Sequence, residues 1–319
     1  ALLSTMKLEE HPEDLARSFL AVRNGSTVLA KTLAGVTLDS AVAREILRVV
    51  RESGLAAPEL EAALKTSGKI TSRKTINDEE RLALLTLSNH SASAAEGEQV
   101  YRNEKLGCLK CHAIGGAGGK VGPDMISLGG SAQPDYLLES LLNPNAKVKE
   151  NYHTVVIETT AGKVLSGVQV KQSKEEVVVR TANDELLTVA RADIEDIAPG
   201  LSLMPEGLVD TLTDQEVAAL VRFLSELGRT PEYTISRRQV ARTWQVMEAT
   251  DAAAFQLRRT SYATAATDDP AYSWLPKYSN VAGNLSMPDV PVVAVKSRSA
   301  AGTRGVGFAR CFVTIETPG

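Results

Sequence analysis

The string Cys108-Leu109-Lys110-Cys111-His112 constrains this chain more than any other feature. Two thiols three positions apart fall on one side of a single helical turn, and an imidazole follows at once. A c-type haem attachment site needs that order: both thiols form thioethers to one porphyrin edge, and the histidine then lies under the iron as its proximal ligand. The chain holds 3 Cys and 4 His, so random placement gives such a string only roughly 4 times in ten thousand. Two other chemistries use Cys-x-x-Cys. A thioredoxin-like redox pair opens a helix after a strand, whereas here a helix-like stretch precedes the string. Zinc needs two further Cys or His close by, and what remains is Cys311 with scattered His11, His90 and His153. The string therefore reads as the attachment site of one covalent haem c, with Cys108, Cys111 and His112 binding it and His112 on the iron.

A length of 319 residues is enough for two or three domains, each with its own core. Charged residues at 23% and apolar residues at 43% are ordinary for a folded chain. A net charge of −4 gives no basic footprint for nucleic acid, whose affinity comes largely from clustered Lys and Arg. No apolar run approaches membrane-spanning length, and Ala1-Leu2-Leu3-Ser4 does not open a signal peptide. The expectation is a soluble protein, a mature form or an excised fragment, with no membrane span.

Helices flank the haem string at a distance. Ser93-Ala94-Ala95-Glu96 has the form of a capping box and predicts a helix to about Lys105. Gly97 inside it costs about 1 kcal/mol relative to Ala, which reads either as a tolerated defect or as a close helix crossing. Tyr101 shares its face, four residues on. Thr213-Asp214-Gln215-Glu216 is a second capping box, followed by Val217, Leu220, Val221, Leu224 and Leu227 at helical spacing and by Gly228 where a helix-ending glycine belongs.

A helix with Gly97 beside Tyr101, the haem string, and a later helix carrying Phe223 resemble class I cytochromes c, in which two such helices cross at a glycine and an aromatic. The resemblance implies further roles. Gly122-Pro123-Asp124 begins ten residues past His112, where that family has a turn whose proline carbonyl accepts the proximal histidine's Nδ1 hydrogen. Met204-Pro205 stands nine residues before Thr213, the order in which the family places its distal methionine, so Met204 is expected as the second iron ligand; Met125, His153 and an open position are the alternatives. Gly115-Gly116-Ala117-Gly118-Gly119 lacks the strand and the Lys-Ser/Thr of a phosphate cradle and reads as a flexible loop over the haem edge.

Ninety-two positions separate His112 from Met204, far more than a short class I cytochrome needs. Pro134 to Leu142 predicts a helix stopping at Asn143-Pro144. Strands follow at His153 to Thr160, Lys163 to Lys171, Glu176 to Thr181 and Leu186 to Ala190, an antiparallel sheet over about 151–197 inserted into an otherwise complete haem core. Val121-Gly122-Pro123-Asp124, Tyr136 to Ala146 and Ser202-Leu203-Met204-Pro205-Glu206-Gly207-Leu208 together resemble the planctomycete-type (Pirellula/Verrucomicrobium) haem-binding domain, over residues 92 to 228. That family commonly closes large exported proteins with dehydrogenase-like parts. The resemblance implies a periplasmic or otherwise extracytoplasmic place and a redox partner protein, a dehydrogenase.

Residues 1–90 read as a helical unit, repeat-like or a private bundle, with segments at Pro12 to Val22, Thr27 to Leu33, Asp39 to Ser53, Pro58 to Thr66 and Asp78 to Ser88. Residues 91–229 form the haem domain. Residues 230–319 read as one helix, Arg237 to Met247, then a β region with strands at Val292 to Val295 and Gly307 to Ile315; the chain stops at Gly319 just after a strand, as a truncated chain would. Cys311 reads as a buried free thiol. The expected class is thus α+β and multi-domain, a class I cytochrome c helical core with an inserted sheet. Single-electron transfer is the expected function. The alternatives are a five-coordinate haem enzyme or gas sensor and a binding module with exposed Trp274 and Tyr278.

Overall fold

Several helices begin where the sequence supplies a cap or an N-terminal proline. The computed structural model describes residues 5–71, 76–235, 240–260, 262–296 and 303–312. Four helices come first: α1 (Pro12–Leu20), α2 (Gly25–Thr32), α3 (Ser40–Glu52) and α4 (Pro58–Ser67). The Asp39 carboxylate caps α3, accepting from the Ala41 amide at 2.8 Å. Val42, Ile46, Val49 and Val50 of α3 are buried against Ala16, Leu29, Leu60 and Leu64 in one apolar cluster. Among the described residues the fold is α+β with several cores, as expected.

A second core surrounds the Cys108–His112 segment. α5 (Asp78–His90) starts from a reciprocal Asn77–Glu80 capping box and packs through Leu84 into this core. α6 (Ala94–Tyr101) is capped by Ser93 and ends four residues earlier than its pattern suggested, because the Asn103 side chain turns the chain by accepting from the Lys105 amide at 3.0 Å. The single turn α7 (Cys108–Cys111), α8 (Leu128–Ser131) and α9 (Pro134–Leu142) follow, and α10 (Asp214–Glu226), with the Thr213–Glu216 capping box in place, runs through the centre. α6 and α10 cross at Gly97. A Cβ there would stand 2.0 Å from the Ala219 carbonyl oxygen and 2.7 Å from Phe223 Cβ, so the glycine is what permits the approach. Next to it the Tyr101 and Phe223 rings lie 5.6 Å apart.

Between α9 and α10 lies a five-stranded antiparallel sheet, order β4-β3-β2-β1-β5: β1 (Thr154–Thr159), β2 (Val164–Gln172), β3 (Glu176–Arg180), β4 (Leu186–Ala190) and β5 (Ile194–Pro199). The first four match expectation. β5 escapes pattern reading because Glu195, Asp196 and Pro199 sit on an edge strand exposed along much of its length, yet Ile197 pairs with Ile157 of β1. The sheet touches the helical unit: the Val164 amide donates to Ala21 O at 2.8 Å, and Arg23 pairs with Glu158 and Glu195.

The C-terminal third departs most from expectation. Thr243–Met247 is strand β6, not the end of a helix from Arg237; residues 237–239 lie outside the described residues. β6 pairs with β7 (Trp274–Tyr278) and with β10 (Ala309–Arg310), and these distant partners override the helix-like spacing of Trp244 and Met247. The helix of this region is α11 (Asp251–Arg259), capped by Thr250. β8 (Val293–Lys296) pairs with β9 (Thr303–Val306). The far end of the strand expected over Gly307 to Ile315 also falls outside the described residues. Cys311 is exposed just after β10, not buried, since the two-residue strand ends before it and nothing covers its side chain among the described residues. Trp274 and Tyr278 are half-buried in β7, and the Arg310 guanidinium lies 4.0 Å from the Trp274 ring.

Candidate functional site

The Cys108–His112 segment folds as one helical turn and then leaves it. Gly107, at φ +69°, opens α7, and His112 closes it in an extended conformation, its amide still bonded to Cys108 O at 2.8 Å. Its side chain is thereby carried off the turn. Tyr101 Oη donates to His112 O at 2.9 Å, so the α6–α10 crossing also fixes the histidine backbone.

The segment 115–126 wraps the turn closely. Gly119 N donates to Leu109 O at 2.9 Å and Gly122 N to Cys111 O at 2.8 Å, while the Asp124 carboxylate accepts from the amides of Gly115, Gly116 and Ile126 at 2.7–2.9 Å. The glycine run is thus a fastened wrap, not a flexible loop. Pro123 O accepts from His112 Nδ1 at 3.0 Å. A Cβ on Gly122 would meet the imidazole at 2.3 Å from Cε1 and 2.5 Å from Nδ1, so the ring lies flat on the glycine backbone. With the proton held on Nδ1, the lone pair belongs to Nε2. Burial holds His112 below the ordinary imidazole value, the bond to Pro123 acting in the opposite sense. The ring is neutral at pH 7.

Cys108, Cys111, His112, Pro123, Met125 and Met204 all line one cavity of about 230 Å³. Both cysteines are free thiols. Burial pushes Cys108 up to about 12 and Cys111 up to about 11, so both are protonated at neutral pH. Met125 is held on the histidine's side of the site, its amide donating at 2.8 Å to the carbonyl of Ala113, the residue after His112. Met204 comes from a separate strap between β5 and α10. His153 is exposed at the start of β1 and does not line the cavity.

Two contributors carry little signal in sequence. Asn145 follows the Asn143-Pro144 helix stop with no role of its own in the sequence reading, but its Oδ1 accepts from Ser202 N at 2.8 Å and its Nδ2 donates to Glu206 Oε1 at 2.8 Å, bridging the strap on either side of Met204. Ser202 Oγ adds a bond from Met204 N at 3.2 Å. The second is Glu52, at the end of α3 in the N-terminal unit, which reaches the cavity wall with Lys110 Nζ at 3.8 Å. Tyr152 and Val168 bring the sheet into the wall too, so the insertion is a builder of the site rather than an appendage to a finished core.

Among the described residues no three His, Cys, Asp or Glu side chains converge as a metal site, which leaves a zinc reading of the two cysteines without further donors. No helix among them is long and apolar enough to cross a membrane. No protein-family model matches the chain, and no curated protein sequence matches it.

Proposed function

We propose that this chain is a c-type cytochrome that carries single electrons. One haem c would be held covalently by Cys108 and Cys111, with His112 Nε2 and the Met204 thioether as the residues that hold its iron. When bound, haem supplies reversible one-electron cycling of its iron. The observation that carries the reading is the convergence of two free thiols, an imidazole with Nε2 unprotonated and a thioether on one cavity. This donor set fits the group: the thiols stand on one turn, and the carbonyl of Pro123 fixes the tautomer before any iron arrives. Met204 would favour the reduced state and raise the potential, and His112, locked by Gly122 and Pro123, would keep its position through oxidation and reduction. No arginine and no second histidine is among the lining residues described, so the His or Arg acid–base group expected of a peroxidase-like site has no counterpart there.

The resemblance to class I cytochromes c and to the planctomycete-type domain adds the setting: an extracytoplasmic protein receiving electrons from a dehydrogenase, fused or separate. The test is retention of colour. Holoprotein purified from a host with haem-attachment machinery should keep its haem through acid–acetone extraction and denaturing electrophoresis, and Cys108→Ala with Cys111→Ala should lose it. Colour leaving with the solvent would overturn covalent attachment.

A further inference from the structure

The last turn of α3 belongs to the N-terminal helical unit, yet it grips the strap that carries Met204. Arg51, whose side chain is 12% exposed, donates from Nε to Glu61 Oε2 at 3.1 Å within its own unit. Its Nη1 donates to Glu206 O at 2.6 Å, two residues beyond Met204. A Cβ on the next strap residue, Gly207, would stand 2.6 Å from the same nitrogen, so the guanidinium presses directly on the strap backbone. On the other side of Met204, the Leu201 amide donates to Gly54 O at 2.8 Å. A Cβ on Gly54 would meet Leu203 at 3.0 Å and Thr154 at 2.9 Å. Residues 51 and 54 thus bracket residues 201–206, and Glu52 between them lines the cavity itself.

We infer that Arg51 is a positioning residue for Met204, so that the N-terminal helical unit is part of the site and sets whether its sixth position is filled. The inference rests on the proposed His112/Met204 ligation. Its physical basis is that a strap without regular hydrogen bonding pays conformational entropy to hold one geometry. A charge-assisted bond from a guanidinium that is itself anchored at its far end by Glu61 offsets that cost. Lysine cannot replace it, because one ammonium lacks the rigid fork that spans Glu61 and the Glu206 carbonyl together.

The experiment uses full-length holoprotein and three variants: Arg51→Ala, Arg51→Lys, and Arg23→Ala as a control that cuts a different tie between the helical unit and the sheet without touching the strap. Arg51→Ala should keep covalent haem, lose most of the ferric sulfur-to-iron band in the red, and bind carbon monoxide in the ferrous form at least tenfold faster than wild type. Arg51→Lys, which retains the charge beside Glu61, should fold in any case and show the same changes to a smaller degree; Arg23→Ala should show none. Wild-type band and carbon monoxide rate in Arg51→Lys, or equal losses in Arg23→Ala, would overturn the positioning role while leaving the ligation intact. Absence of the band from wild-type protein would instead overturn the ligation.

Discussion

Replacing Gly122 with Ala tests how the proximal histidine is held. Gly122 has no positive φ, so alanine meets no backbone strain there, and the whole effect comes from contact with the ring. The new Cβ would lie 2.3 Å from His112 Cε1, about 1.1 Å inside the 3.4 Å of ordinary contact. The backbone cannot retreat easily, because Gly122 N is bonded to Cys111 O at 2.8 Å, so the ring must move. A shift of that size breaks the 3.0 Å bond from Nδ1 to Pro123 O. Overpacking costs about 1–3 kcal/mol, and leaving a buried ring nitrogen unpaired costs about 1–3 kcal/mol more, giving a loss of roughly 2–6 kcal/mol. Urea unfolding followed at the haem's main absorption band reports the haem domain alone, which avoids treating a multi-domain chain as one transition. The same protein should show a changed midpoint potential, since the second partner of the proximal ligand is gone. A variant within 0.5 kcal/mol of wild type, by rough convention for a neutral substitution, and with an unchanged potential would refute the claim that glycine is needed for the imidazole to seat.

Gly97→Ala should destabilise the haem domain by about 1–3 kcal/mol in the same urea assay, because the added methyl meets the backbone of α10 rather than a movable side chain. Asn145→Ala removes two bonds to the strap and should weaken the ferric sulfur-to-iron band while covalent haem is retained. Glu52→Gln takes a negative charge from the cavity wall and should raise the midpoint potential by an amount on the order of 1 kcal/mol, read by redox titration. Deleting residues 151–190 removes Tyr152 and Val168 from the wall and the Thr154 carbonyl that receives Gly200 N at 2.9 Å, so the low-spin spectrum should be lost in a deletion protein that still folds.

Local chemistry made much of this molecule legible. Caps at Ser93, Thr213 and Asp39, the Pro134 start and Asn143-Pro144 stop of α9, and the turn-bounded runs of β1 to β4 are set by neighbours in sequence, and those elements begin where their patterns put them, though α6 ends earlier. Gly122-Pro123 was readable as a turn from its residue types, whereas Gly97 left a defect and a crossing both open and only the resemblance to class I cytochromes c pointed to the crossing. What escaped depends on distant partners. β5 becomes a strand by pairing with β1, and β6 by lying between β7 and β10. Asn145 and Arg51 act on a strap some 60 and 155 residues away in sequence, and neither position carries a local pattern that names its target. Cys311 read as buried because free cysteine usually is, and the short β10 leaves it outside.

The sixth ligand is where electron transfer and open-site chemistry part. Visible spectra of oxidised and reduced protein, taken for wild type, Met204→Ala and Met125→Ala with and without carbon monoxide, test it most directly. Wild type should show a ferric sulfur-to-iron band and no rapid carbon monoxide binding. Met204→Ala should lose the band, bind carbon monoxide and fall in potential, while Met125→Ala keeps all three properties, as the proposed His112/Met204 ligation requires. A Met204→Ala protein that keeps its band and potential, or wild-type protein that binds carbon monoxide at once, would contradict the proposed His112/Met204 electron carrier.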